Sequence, residues 1–500
     1  MSWPKKILKA ENFFIFFIII FIILFILQVP NDPDLGWHLR NGQYLIEHNL
    51  RVPQTDLYSY TMTDFPVIMH EWLTDLIMYF LYSHFGFISL IIFFVIITFL
   101  AFFIVARTFK ANLSYQLLGC LLGIIASLPV ISIRAQMITL LGLALVIYII
   151  YQYKNQINPR LIYCLPLIFL LWANLHGGFF VGILFIGLFI FIELIKVFLK
   201  NKIKDNPINF QILSPAAFKK LFIILALCLI ATLLNPYFIR IYYEVFTTVF
   251  DDYAKNFIME WAPLTIHNQI GQHYIIYSAL IFILILFNLL FYKFKNFDFT
   301  YLMIAVSFFL ISISSMRHLP FFVLITIPYW VILVRRLTGD NLQTILKQKW
   351  LILLLLIGVI IYANQKLTIF YKIADDPQKI AEIFGYPYQA IQFLKDHPQG
   401  ERMFNEYNWG GYLIWQYPEK KVFIDGRMAS WRLKRAGQTQ IILKDFVTLK
   451  NANKGWEELL NSYQIDNVIV YNDAPLAWEL KNSGWLPVYQ DQLAIIYKKP

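Results

Sequence analysis

Two aspartates, Asp32-Pro33-Asp34, stand directly after the first apolar run of the chain. A carboxylate held near a membrane surface can take the proton of a sugar hydroxyl as that oxygen attacks a lipid-linked donor, and general-base help of this kind is worth roughly 100-fold or more. Asp32 also suits a helix cap with Pro33 at the first helical position. Asp34 is therefore the candidate base, with a plain surface charge as the alternative. A lipid-phosphate donor leaves a phosphate behind, and the guanidinium fork matches phosphate geometry. Arg134, and Arg317 with His318, lie in short connections between apolar runs, where they can hold such a phosphate or snorkel to ordinary lipid headgroups. His70-Glu71-Trp72, Asn174-Leu175-His176-Gly177-Gly178 and Glu260-Trp261 are placed on the same side. His38, His70, His176 and Glu71 form a candidate set for a divalent metal, without the spacing of an HExxH motif. His176 equally suits the cap of a tight glycine turn, and Glu260-Trp261 either an acceptor-sugar contact or an interfacial anchor.

These residues need a scaffold, and the composition says what kind. Of 500 residues, 59% are apolar, 18% aromatic and only 15% charged, and the mean hydropathy is +0.58. That excludes a disordered chain, a collagen and a disulfide scaffold. Cys120, Cys164 and Cys228 all sit in apolar runs without a CxxC spacing and read as small buried hydrophobes. Eleven windows are apolar over about the 20 residues that cross a hydrocarbon core. They fall near 11–28, 86–106, 115–132, 136–152, 161–174, 178–198, 219–234, 273–292, 299–315, 319–334 and 350–366.

With the N-terminus in the cytosol, nineteen Lys and Arg flank the cytosolic connections against six on the opposite loops, leaving aside the long C-terminal segment because translocated domains largely escape the charge rule, and that asymmetry is the one the positive-inside rule expects. The net charge of +11 thus reports membrane orientation and gives no support to nucleic-acid binding. Gln28-Val29-Pro30 after the first span is not a small-residue cleavage site, so that span reads as an uncleaved anchor.

The expected architecture is a polytopic α-helical membrane protein of about eleven spans with a C-terminal extracytosolic α/β domain. Residues 1–366 form the transmembrane domain, with outer loops 29–85 and 235–272, and residues 367–500 the soluble domain. The first outer loop reads as two surface helices. One carries an apolar stripe of Leu35, Leu39, Gly42 and Ile46 beside a polar stripe of Asp34, His38 and Asn41; the other starts at His70-Glu71-Trp72. Beyond Lys366, strands are expected at 402–407, 412–416, 422–425, 468–471 and 494–497, and helices at 456–463 and 476–482. Asp425-Gly426-Arg427 reads as a turn with a solvated ion pair, or as a charge pair presented to a ligand. No Walker A loop, GxSxG elbow or dinucleotide fingerprint accompanies a suitable strand.

Taken together, the acidic loop Asp32-Pro33-Asp34-Leu35-Gly36-Trp37-His38, the many spans and the outer domain resemble the GT-C superfamily of polyprenyl-phosphate-sugar-dependent glycosyltransferases. More narrowly, His70-Glu71-Trp72-Leu73, Asn174 to Gly178, Asn235-Pro236-Tyr237, Glu260-Trp261, Asn405 to Gly411 and Val422 to Arg427 are similar to a group of large bacterial membrane proteins of that type. The resemblance implies an inverting transfer with Asp34 as base and arginines on the lipid phosphate. Asp32, His38, His70, Glu71, His176, Glu260 and His318 would line the substrate. It implies a polyprenyl-phosphate-linked sugar as donor, a glycan, lipid or protein as acceptor, and a place in the bacterial inner membrane. Protein mannosyltransferases of the superfamily carry Asp-Glu where this chain has Asp-Pro-Asp, which counts against protein mannosylation in particular. The rival expectations are a non-catalytic glycolipid transporter or flippase, and a cell-envelope scaffold.

Overall fold

The computed structural model describes residues 10–27, 32–202, 212–249, 251–265, 269–292, 298–339, 344–345, 348–373, 377–435 and 438–500. The proposed anchor end Gln28-Val29-Pro30 and the loop lysines Lys5, Lys6, Lys9, Lys204, Lys293, Lys295 and Lys347 lie outside them. The chain divides into two compact units.

The first unit takes residues 1–29, 91–238 and 255–368 and is helical. Its helices are α1 (Ala10–Ile26), most of α4 (Phe87–Ala106), α5 (Leu113–Ser127), α6 (Gln136–Lys154), α7 (Leu165–Leu175), α8 (Phe179–Lys202), α9 (Pro215–Thr232), α12 (Gln269–Tyr292), α13 (Phe299–Ser314), α14 (Leu319–Thr338) and most of α15 (Lys349–Ile373). Among the described residues, seven helices are long and apolar enough to cross a membrane and four more are apolar but shorter, and they fall on the eleven expected windows. One of the shorter ones has a local cause. Cys164-Leu165-Pro166 starts α7 with a proline in its first turn, preceded by the tighter 3-10 turn Pro159–Cys164.

Bundle packing follows side-chain size: α5 lies on α14, α7 on α9 and α6 on α8. The indole of Trp172 fills space over Gly142 and Gly182. At one end, Lys154, Glu193, Lys196, Asp298 and Thr300 tie three helices together. Glu193 Oε1 takes Lys196 Nζ at 2.8 Å and Thr300 Oγ1 at 2.5 Å, and Asp298 takes Lys154 Nζ at 2.5 Å.

The second unit takes residues 30–90, 239–254 and 369–500, so the first outer loop folds with the C-terminal segment. It contains α2 (Leu35–Glu47), α3 (Trp72–Phe85), α10 (Arg240–Val249) and the first half of α11 (Asp252–Phe257). From the C-terminal segment come α16 (Pro377–Phe384), α17 (Tyr388–Asp396), α18 (Gly410–Gln416), α19 (Ile442–Lys450), α20 (Trp456–Ser462) and α21 (Pro475–Asn482). A four-stranded sheet runs β1 (Met403–Asn405), β4 (Asn467–Tyr471), β6 (Ala494–Lys498), β5 (Leu486–Gln490). Its β1–β4 pair is parallel and the others antiparallel; β2 (Arg432–Arg435) and β3 (Gln438–Ile441) make a separate hairpin. The core of this unit packs Trp37 of α2 with Leu394, Met403, Leu413, Ile469 and Ile496.

Three local expectations are corrected. Residues 412–416 are helix and not strand, because Gly410 and Gly411 leave no side chain in the way and let α18 press its backbone onto α2. Gly36 touches the Gly411 carbonyl and Gly411 the Pro33 carbonyl, closer than any β-carbon would allow. Residues 422–425 form only one bridge, Val422 to Ser59, in place of a strand. Helix α2 begins at Leu35 with Asp34 at its cap position, not at Pro33 behind Asp32. Asp32 instead accepts the Asp34 backbone N–H at 3.0 Å in a turn that sets the helix going.

Candidate functional site

In the second unit, α2 and α3 lie against each other, and the polar stripe of α2 faces inward. His38 Nδ1 meets Asp75 Oδ1 at 2.5 Å and Asn41 donates to Asp75 Oδ2 at 2.9 Å. Asp75 is 1% exposed. Gly42 permits the approach by bringing the α2 backbone against Asp75 and Tyr79. The other imidazole nitrogen of His38 stands 3.5 Å from Glu71 Oε2, and His70 Nε2 stands 3.4 Å from Glu71 Oε1. The series Asp75, His38, Glu71, His70 therefore runs from the core outward.

Burial opposes charge on His38, but Asp75, Glu71 and Asp32 outweigh it and raise the pKa to about 9. For His70 burial is likewise overcome, here by Glu71 with Glu244 and Asp75, again to about 9. Burial also pushes the Asp75 carboxyl up, partly offset by His38. Donor atoms of His38, Glu71 and Asp75 lie within 4.8 Å of one another. This mixed nitrogen and oxygen set suits a divalent ion. Holding one would require Asp75 to share its oxygens with His38 and Asn41.

Asp34 stands one turn before His38. Its Oδ1 accepts the Trp37 indole N–H at 3.0 Å, and the Trp37 ring lies on the His38 ring with centroids 3.7 Å apart. The same carboxylate abuts Gly426, where a β-carbon would overlap it. The Asp425-Gly426-Arg427 turn is thus beside Asp34 in space. Its ion pair is not solvated as expected, since Asp425 is 0% exposed and the Arg427 side chain 9%.

In the first unit, Arg134 Nη1 donates to both Glu260 oxygens, at 2.6 and 2.7 Å. The Arg317 guanidinium lies 4.8 Å above the Trp261 ring, a cation–π arrangement. Backbone bonds from Met316 to Ala262 and from Leu264 to Ile313 fasten the two connections together. Burial works against the Glu260 charge, yet Arg134 and Arg317 hold its carboxyl below the usual range. His318 stacks on Phe321. His176 Nδ1 takes the Gly178 N–H at 2.8 Å and lies 2.6 Å from Thr139 Oγ1, which in turn accepts from Trp172. That nitrogen belongs to the turn.

The structure therefore gathers Asp32, Asp34, His38, His70 and Glu71 in one unit, and Arg134, Glu260 and Arg317 in the other, with His318 next to Arg317. His176 sits apart in its glycine turn. Asp75 and Asp56 are absent from the sequence expectations. Asp75 had a visible signal, a carboxylate one helical turn after Glu71 in an otherwise apolar stretch; Asp56 had none.

No family model matches the chain, and no curated protein matches it. Among solved structures it is similar to the oligosaccharyltransferase of Archaeoglobus fulgidus, whose crystal structure carries an acceptor peptide with the NVT sequon tethered by a disulfide bond. The TM-score is 0.54 at 10% identity, over 94% of this chain and 70% of that one. At that identity the likeness is one of fold. The chain is a multi-pass membrane protein with the GT-C fold that its sequence resembles.

Proposed function

We propose that this protein is a membrane glycosyltransferase that moves a sugar from a polyprenyl-phosphate donor to an extracytosolic glycan, lipid or protein. The observation that carries the reading is a shared fold with an oligosaccharyltransferase over 94% of the chain. In the reaction, the acceptor oxygen attacks the anomeric carbon and its proton passes to Asp34. The bond from that carbon to the phosphate oxygen breaks, and the electron pair leaves with the lipid phosphate, so the configuration inverts.

Asp34 suits the role of base because Trp37 and Gly426 hold one of its oxygens in place. Arg134 and Arg317 are assigned to the charge developing on the phosphate, where a preset guanidinium stabilises the leaving group. Asp32, His38, His70, Glu71, His176, Glu260 and His318 are assigned to the substrate surroundings, and His38, Glu71 and Asp75 to any divalent ion. The protein is placed in the bacterial plasma membrane, N-terminus in the cytosol and second unit outside.

The test is Asp34→Asn in isolated membranes supplied with radiolabelled polyprenyl-phosphate sugars. Loss of label transfer in a variant that is present at wild-type level supports the reading. Undiminished transfer removes Asp34 from the chemistry.

A further inference from the structure

Arg427 holds one of the most enclosed positive charges of the second unit. Its Nε and Nη2 form a fork on Asp425, at 2.8 and 2.7 Å, and Nη2 also meets Asp56 at 3.0 Å. The rings of Tyr58 and Trp431 flank the guanidinium, their centroids 4.8 and 5.3 Å away, and Trp431 is itself stacked on Phe65. Two carboxylates meet one guanidinium, so this group is not a spare cation for an anionic ligand. Burying three charges also costs desolvation, which makes such an assembly a weak source of stability. What it does is fix geometry.

Asp425 accepts the backbone N–H of Arg427 at 3.0 Å and so caps the short turn Gly426–Ser430. Asp56 accepts the Ser59 N–H at 2.8 Å, and the segment after it fastens to the strand-like stretch before the turn. Val422 donates to Tyr58, Tyr60 to Val422, and Thr61 to the Phe423 carbonyl. The turn is thereby held from both sides, with Gly426 pressed to the Asp34 carboxylate.

We propose that Arg427, clamped by Asp425 and Asp56, is a positioning residue that fixes the Asp34 carboxylate through Gly426. This deepens the glycosyltransferase reading and rests on Asp34 being its base. Arg427 touches no reacting atom; it sets where the proton acceptor stands. Lysine keeps the charge but lacks the planar fork that spans both carboxylates, so Arg427→Lys should loosen the turn.

Carboxyl footprinting on the full-length protein in detergent, with a carbodiimide and glycine ethyl ester read by mass spectrometry, measures this directly. Arg427→Lys should raise the labelling rate of Asp34 by about threefold or more, the consequence of a site left without its support. The exposed Glu457 and Asp473 and the melting temperature should stay as in wild type. An Asp34 rate equal to wild type overturns the proposal. If Arg427→Lys does not fold, Asp56→Asn, which spares the fork on Asp425, decides by the same readout: a faster Asp34 supports the clamp and an unchanged one refutes it. The footprint does not depend on transfer activity. Full transfer by Asp34→Asn would sink the base reading while leaving the footprint to judge the clamp alone.

Discussion

The two units both bury charge, and they do so differently. In the membrane unit, Glu193 and Asp298 are answered by Lys154 and Lys196, two acids to two bases, with Glu193 0% exposed. In the second unit, among the described residues, Asp56 and Asp425 meet Arg427, while Glu71 and Asp75 meet His38 and His70, two histidines whose charge depends on pH. Inside a packed helical bundle an unmatched buried ion is costly, so the cluster at its end is matched and joins helices. In the second unit, carboxylates paired with titratable imidazoles are groups that can exchange protons with a substrate. The matched cluster also shows that charge inside the bundle is present without implying a transport path, since its lysines and acids are paired within it.

Four experiments press on this contrast, the largest expected effect first. Removing one member of the matched cluster by Glu193→Ala leaves Asp298 as the one acid of the cluster for Lys154 and Lys196 and should cost about 3–5 kcal/mol. Unfolding in mixed detergent would read it, and a variant as stable as wild type would dissolve the distinction between the units. Asp34→Asn in the second unit should do the reverse, lowering transfer by about 100-fold or more with the melting temperature unmoved.

A third effect concerns pH. His38 and His70 are raised to about 9 in the folded protein against about 6.5 for an unfolded histidine. Groups raised in this way contribute stability that is fully present below about pH 6.5 and lost as pH climbs through about 9. The melting temperature should therefore fall across that window, and His38→Gln should flatten the fall. A wild-type profile that is level from pH 6.5 to 9.5 would show that the imidazoles are not charge-matched to Asp75 and Glu71.

The smallest effect is expected at Glu260, whose pair with Arg134 is partly exposed, the carboxylate side chain by 38%. Glu260→Gln should change stability by less than about 1 kcal/mol. It should nevertheless remove a negative charge from beside Arg134 and alter the salt dependence of transfer. A loss of several kcal/mol would make the pair a structural element like the lysine cluster.

How much of this was legible beforehand differs along the same division. The eleven apolar windows and the surface helix starting at Trp72 could be read from residue order, because hydrophobic length and periodicity are local properties. Strands β1, β4 and β6 were readable for the same reason, while 412–416 was not. Its Tyr-Leu-Ile-Trp run looks like a strand, and only the close contact of Gly411 with α2 makes it a helix. Asp34 and Glu71 were recognisable as candidates from their place after a span and at a helix start. Their partners were not: Asp75 is 37 residues from His38, and Asp56 is far in the chain from Arg427.

Residue order by itself determined that this chain crosses a membrane many times and carries an acidic segment directly after its first apolar run, since both follow from hydrophobicity and charge along a line. The tertiary structure alone decided which oxygen of Asp34 is held, that the polar stripe of α2 faces Asp75, and that Asp425 and Arg427 are buried. Those outcomes depend on backbones meeting across long stretches of chain, and short-range pattern contains no record of such meetings.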